Sequence, residues 1–149
     1  MQFTQKETEL LKDLKEQEKL CVDKYSKYSA EATDPQLKNL FTQIAGIEQG
    51  HYNTLEQLSA GSVATISASQ QPMPTFTAKY NPLQSPEKQN NCYLCTDMLT
   101  SEKHVSSLYN TCIFEFRDQQ VRNLLNHIQG EEQKHGKMIY DYMKTNAMY

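Results

Sequence analysis

Shifted against itself by 84 positions, the sequence superposes residues 18–58 on 102–142 without a gap, with 13 of the 41 aligned positions identical. Glu18 meets Glu102, Tyr25 meets Tyr109 and Asp34 meets Asp118, while Gly46 meets Gly130. Further on, Glu48, Gln49 and His51 meet Glu132, Gln133 and His135. No other feature restricts the fold as much, because any unit built by the first copy must be built again by the second, with both faces buried together.

The repeated unit is a helical hairpin. Thr4 and Glu7 form a capping box, and Leu11, Leu14, Cys21, Tyr25 and Tyr28 follow at the alternating three and four spacing of one helix face, predicting a first helix over 5–31. Asp34 before Pro35 reads as an N-cap with proline in the first turn, and Leu37, Phe41, Ile44, Leu55 and Leu58 extend a second helix over 35–59. Ser85 and Pro86 repeat that signal ahead of Met98, Val105, Tyr109, Cys112 and Phe116. Asp118 caps a last helix that carries Val121, Leu125, Ile128, Ile139 and Tyr142 and ends near Lys144. Between the hairpins, 60–85 has no period and holds three of the five prolines, so it reads as a crossover along the bundle rather than a turn. With 149 residues, 5 Gly and 5 Pro, the expectation is a single all-α domain: a ferritin-like four-helix bundle of two antiparallel hairpins, 5–59 and 86–144.

Each apolar stripe is broken near its middle by a residue that does not belong in oil. The first seam runs Leu14, Glu18, Cys21 and the second runs Ile44, Glu48, His51, Leu55. The third runs Met98, Glu102, Val105 and the fourth runs Ile128, Glu132, His135, Ile139. Four carboxylates at one depth of a core repel one another and move toward neutral forms unless cations compensate them. Glu-x-x-His places a carboxylate and an imidazole on one helix face a turn apart, so Glu48 with His51 and Glu132 with His135 can each serve one ion. Glu18 and Glu102 complete the four-Glu, two-His set of di-iron and di-manganese bundles, for which Fe or Mn suit the donors best and Zn also binds.

The repeat also sorts the remaining polar residues. Glu131 aligns with Ile47, Glu16 with Thr100, His104 with Leu20 and His127 with Gln43, so these four are expected at the surface or behind the ligands. Tyr25 and Tyr109 lie two turns past the seam Glu of their own helix, where a phenol either packs or hydrogen-bonds a ligating carboxylate as a redox-active neighbour. Cys92 and Cys95 make one CxxC without a second, too few thiols for a tetrathiolate site, and Cys21 and Cys112 are likewise expected reduced. Cys21, one turn after Glu18, is expected to pack.

A net charge of -3 gives no basic stripe for phosphates, so nucleic acid is not an expected partner. The N-terminus lacks the apolar core of a signal peptide and no run reaches membrane-spanning length, so a cytosolic protein without a membrane span is expected.

The segments KLCVDKYSKYSAEATDPQLKNLF, HYNTLEQL, TSEKHVSSLYNTCIFEFRDQQVRNLLNHIQGEEQKHG and NAMY resemble the coat F domain family, spore coat proteins within the ferritin-like superfamily. The resemblance implies a spore-forming bacterium, deposition in the spore coat, and coat proteins or further copies of the chain as partners. From the wider superfamily it carries ligand roles onto Glu18, Glu48, His51, Glu102, Glu132 and His135. The extra Glu of rubrerythrins, one turn after the third-helix ligand, is Val105 here, which speaks against a rubrerythrin-type peroxidase. Two functions are expected to compete. One is a di-metal oxidoreductase acting on Fe(II), oxygen or peroxide, of ferroxidase, peroxidase or catalase type. The other is a structural coat protein with structural metals and a surface rich in its nine tyrosines. Bulk iron storage would need a closed shell for which nothing in the sequence argues.

Overall fold

The computed structural model describes residues 1–68, 71–80 and 84–149; residues 69–70 and 81–83 of the expected crossover lie outside them. Four helices account for the secondary structure of the described residues, with no strand among them: α1 (Gln5–Glu31), α2 (Pro35–Ser59), α3 (Pro86–Glu115) and α4 (Gln119–Thr145). The chain is an all-α four-helix bundle.

Helix boundaries follow from local chemistry. Thr4 Oγ1 accepts from the Glu7 amide at 3.1 Å while the Glu7 carboxylate accepts from the Thr4 amide at 2.8 Å, so two amides that the helix leaves unpaired are satisfied reciprocally. Asp34 and Asp118, equivalent in the repeat, each cap their helix by accepting from the amide two residues on, at 3.1 and 2.8 Å. Three residues separate α1 from α2 and α3 from α4, which leaves each pair no arrangement but an antiparallel hairpin. The crossover, by contrast, runs along the bundle. Gln36 exchanges two hydrogen bonds with the Thr77 backbone, at 2.9 and 2.8 Å. The side-chain oxygen Oδ1 of Asn146 accepts from the backbone amides of Lys79 and Tyr80.

Contacts between hairpins fix the register. Glu7 meets Arg117, Tyr25 meets Glu102 and Tyr28 meets Asp97, so α1 runs antiparallel to α3. Glu48 meets His135 and Asp34 accepts from Tyr142 at 2.7 Å, so α2 runs antiparallel to α4. Leu14, Phe41, Ile44, Leu55, Met98, Leu125, Ile128 and Ile139 fill the core above and below the polar layer, all fully buried. No helix among the described residues is long and apolar enough to cross a membrane. The expected tyrosine-rich surface needs correction: Tyr25, Tyr80, Tyr109 and Tyr142 are buried, and only Tyr93 and Tyr149 stand well exposed.

Candidate metal centre

One side chain from each of α1 and α3, and two from each of α2 and α4, converge at mid-height of the bundle. Glu18, Glu48, His51, Glu102, Glu132 and His135 are at most 4% exposed. Their donor atoms fall into two quartets: Glu18, Glu48, His51 and Glu132, and Glu48, Glu102, Glu132 and His135. Within each quartet the atoms lie within 4.8 Å of one another, close enough to surround a single ion. Glu48 and Glu132 belong to both groups. They therefore stand between the two groups, with Glu18 and His51 at one end and Glu102 and His135 at the other.

Both imidazoles point Nδ1 inward. His51 Nδ1 lies 2.9 Å from Glu132 Oε1 and 3.2 Å from Glu48 Oε2. His135 Nδ1 lies 3.0 Å from Glu48 Oε1 and 3.3 Å from Glu102 Oε1. The rings stack with centroids 5.9 Å apart and planes inclined by 27°. Glu48 thus bonds the histidine of its own helix and that of the opposite one, while Glu132 bonds His51 of the opposite helix and stands 3.4 Å from His135 on its own; this cross-linking comes from the antiparallel register of α2 and α4.

The two tyrosines are exchanged between the halves. Tyr25 on α1 donates to Glu102 on α3 at 2.5 Å, and Tyr109 on α3 donates to Glu18 on α1. Both phenols are buried. Burial first, then the charges of Glu102 and Glu18 respectively, push each phenol well above its ordinary range, so both stay protonated and donating.

The electrostatics divide the carboxylates in two. Burial, then repulsion from Glu48 and Glu132, raises Glu18, and burial with repulsion from Glu132 pushes Glu102 up to about 8. For Glu48 and Glu132, burial also raises the carboxyl, but the hydrogen bonds from the neighbouring acid and both histidines win and leave them lowered. Burial pulls His51 and His135 down, yet carboxylates on several sides raise both well above the ordinary imidazole. Without metal these directions favour protons on both imidazoles and on Glu18 and Glu102, and leave the negative charge on Glu48 and Glu132. Replacing those four protons by two divalent ions leaves the layer just as neutral.

Several carboxylate oxygens of the layer have no other use, and the outer ring nitrogen of His135 is also unpaired. Glu18 Oε2, Glu102 Oε2, Glu132 Oε2 and His135 Nε2 are buried without a hydrogen-bond partner among the described residues. A buried carboxylate oxygen left unpaired costs on the order of 1–3 kcal/mol. The donor set, mixed carboxylate and imidazole in two quartets, fits a pair of divalent ions.

Where the halves differ, the sequence comparison foresaw less. Glu131, expected at the surface or behind the ligands, accepts from His51 Nε2 at 3.3 Å and from Gln71 of the crossover at 2.5 Å. His127 Nε2 lies 3.1 Å from the same carboxylate. Gln71 carries no signal in the sequence, since nothing in an aperiodic segment marks the residue that will reach Glu131. Glu16 and His104 are exposed. Cys21 is buried and enters neither quartet; burial and then the nearby carboxylates push its thiol far up, so it packs as a neutral group. All four cysteines are free.

No curated protein and no solved structure matches the chain. The family model described as Coat F domain matches residues 90–149. That span takes in α3 beyond its first turn, all of α4 and the C-terminal tail, and so three of the six converging side chains, Glu102, Glu132 and His135. The second hairpin of this chain is thus similar to the Coat F domain.

Proposed function

We propose that the chain is a di-metal carboxylate protein of a spore-forming bacterium, associated with the spore coat, that binds two Fe or Mn ions and oxidises Fe(II) or removes peroxide. The observation that carries this reading is the pair of buried donor quartets sharing Glu48 and Glu132. Apolar packing alone would be served better by leucine at all six positions, since breaking up a core with charges costs several kcal/mol per ion.

A bound metal pair would supply redox equivalents and positive charge to an oxygen substrate. The chain's own residues do the rest. His51 and His135 would present Nδ1 as end ligands, and Glu48 and Glu132 would span the two positions. Tyr25 and Tyr109 hold Glu102 and Glu18 at fixed orientation by donating to one oxygen of each. That leaves the second oxygen of each carboxylate for the centre. Glu131 fixes the outer nitrogen of His51, which orients the ring.

A second reading has one observation in its favour. All six donors are nearly sealed from solvent, as in structural metal sites, which are closed. On that reading the metals hold the hairpins together in a non-enzymatic coat component. The separating experiment loads purified protein with Fe(II) or Mn(II), records the optical spectrum before and after peroxide, and follows peroxide and Fe(II) consumption. Turnover that disappears in Glu48→Ala supports the enzyme. Two bound metals with no turnover support the structural reading, and no bound metal removes both.

A further inference from the structure

The repeat is broken at one place that matters for access to the core. Position 52, after His51, is Tyr, whereas position 136, after His135, is Gly. A Cβ built on Gly136 would meet only Leu99 Cδ2, at 4.0 Å, so the surface of α4 there is bare. Around it lies a groove of about 1170 Å³ between α3 and α4. Its lining runs along α4 from Gln129 to Lys144, roughly 22 Å at the helical rise per residue.

Glu102 and Glu132 form part of that lining. Both are nearly fully buried and each has an Oε2 without a hydrogen-bond partner. The groove therefore reaches the polar layer at the Glu102–His135 end. At the opposite end, the pocket against His51 has about 240 Å³ and is lined by residues 64–67 of the crossover. Peroxide needs little more space than a water molecule, about 30 Å³, so the α3–α4 groove is far larger than that substrate requires. Its volume lies slightly above the roughly 300–1,000 Å³ of sites for organic molecules.

The lining also states the chemistry. Leu99 and Tyr140 offer apolar surface, the latter packed edge-on against Tyr149. Lys137 is paired with Asp141 at 2.6 Å. Lys103 and Lys144 are exposed and form no salt bridge among the described residues. We propose that the α3–α4 groove binds an amphipathic organic anion, its charge against the lysine rim and its apolar body along Leu99 and Tyr140, next to the Glu102–His135 end of the centre. Only its service to a metal position rests on the di-metal reading; binding in the groove does not.

The test has two arms. In the first, 8-anilinonaphthalene-1-sulfonate is titrated into metal-free protein and followed by fluorescence. One molecule per chain should bind, at least tenfold more weakly in Gly136→Phe and several-fold more weakly in Lys103→Glu. Helix content by circular dichroism checks folding, and Ser107→Trp on the α3 wall replaces Gly136→Phe if that variant does not fold. No binding, or unchanged binding in the filled variants, overturns the proposal. In the second arm, Co(II) is bound to the centre and its visible spectrum is recorded as the same anion is added. A spectral change lost in Gly136→Phe supports a groove that serves the centre, and an unchanged spectrum with the anion bound overturns that service. If Co(II) does not bind at all, the di-metal reading fails while the first arm still decides the groove.

Discussion

Glu48→Gln is the perturbation that best exposes how the core is balanced. Glu48 is fully buried, accepts from His51 at 3.2 Å and from His135 at 3.0 Å, and belongs to both donor quartets. Glutamine keeps the shape but removes one of the two negative charges that face two raised imidazoles. Removing one partner of a buried charged group costs about 3–5 kcal/mol. For a domain of this size each kcal/mol moves the melting temperature by about 2–4 °C, so the metal-free variant should melt roughly 6–20 °C lower. The assay is thermal unfolding in chelator, followed by circular dichroism, alongside metal titration. Glu18→Gln is the control, because burial and the neighbouring carboxylates favour the protonated form of Glu18 without metal and it belongs to one quartet only. Glu18→Gln should therefore unfold nearly as wild type in chelator and yet lose one metal. Equal melting of Glu48→Gln and wild type, with two metals still bound, would refute the reasoning.

Other outcomes follow from the same structure. The raised groups, Glu18, Glu102, His51 and His135, bind more protons folded than unfolded, so metal-free stability should fall as pH rises from about 5 through 8. Metal ions compete with those protons, so the melting difference between metal-loaded and metal-free protein should widen over the same range, as scanning fluorimetry in chelator and in Mn(II) would show. Glu7 closes the α1 capping box and accepts from Arg117, which lowers its carboxyl to about 2 against the effect of burial. Its contribution should be complete above about pH 4.5 and lost as pH falls toward 2, and Glu7→Gln should cost roughly 1–2 kcal/mol in urea unfolding at pH 7. Gly46 and Gly130 lie inside α2 and α4 with nothing within 4 Å of an added Cβ. Each change to Ala should raise stability by about 0.5–1 kcal/mol, measured the same way.

Much of this arrangement was legible in the sequence, and the reason is physical. Capping side chains act on amides two or three residues away, so Thr4, Asp34, Ser85 and Asp118 marked helix starts that the structure reproduces. Charges in an apolar seam are costly enough to be conspicuous, so the six converging side chains could be named from spacing and from the repeat. What spacing could not tell is which carboxylates are shared. Glu48 and Glu132 belong to both donor groups because α2 and α4 pack antiparallel with their Glu-x-x-His pairs opposed, a relation of whole helices. The exchange of Tyr25 and Tyr109 between hairpins has the same origin. Gln71 on Glu131 and the groove beside Gly136 depend on where an aperiodic crossover lies and how far two helices stand apart, and neither leaves a period to read.

A single titration addresses the whole account: metal-free protein, prepared with chelator and freed of it, is titrated with Mn(II) while bound metal is counted by native mass spectrometry. Two ions per chain should bind, falling to one in Glu18→Ala and in Glu102→Ala and to none in Glu48→Ala. A wild-type chain that binds no ion, or variants that bind as many as wild type, would contradict the reading of the polar layer as a metal centre.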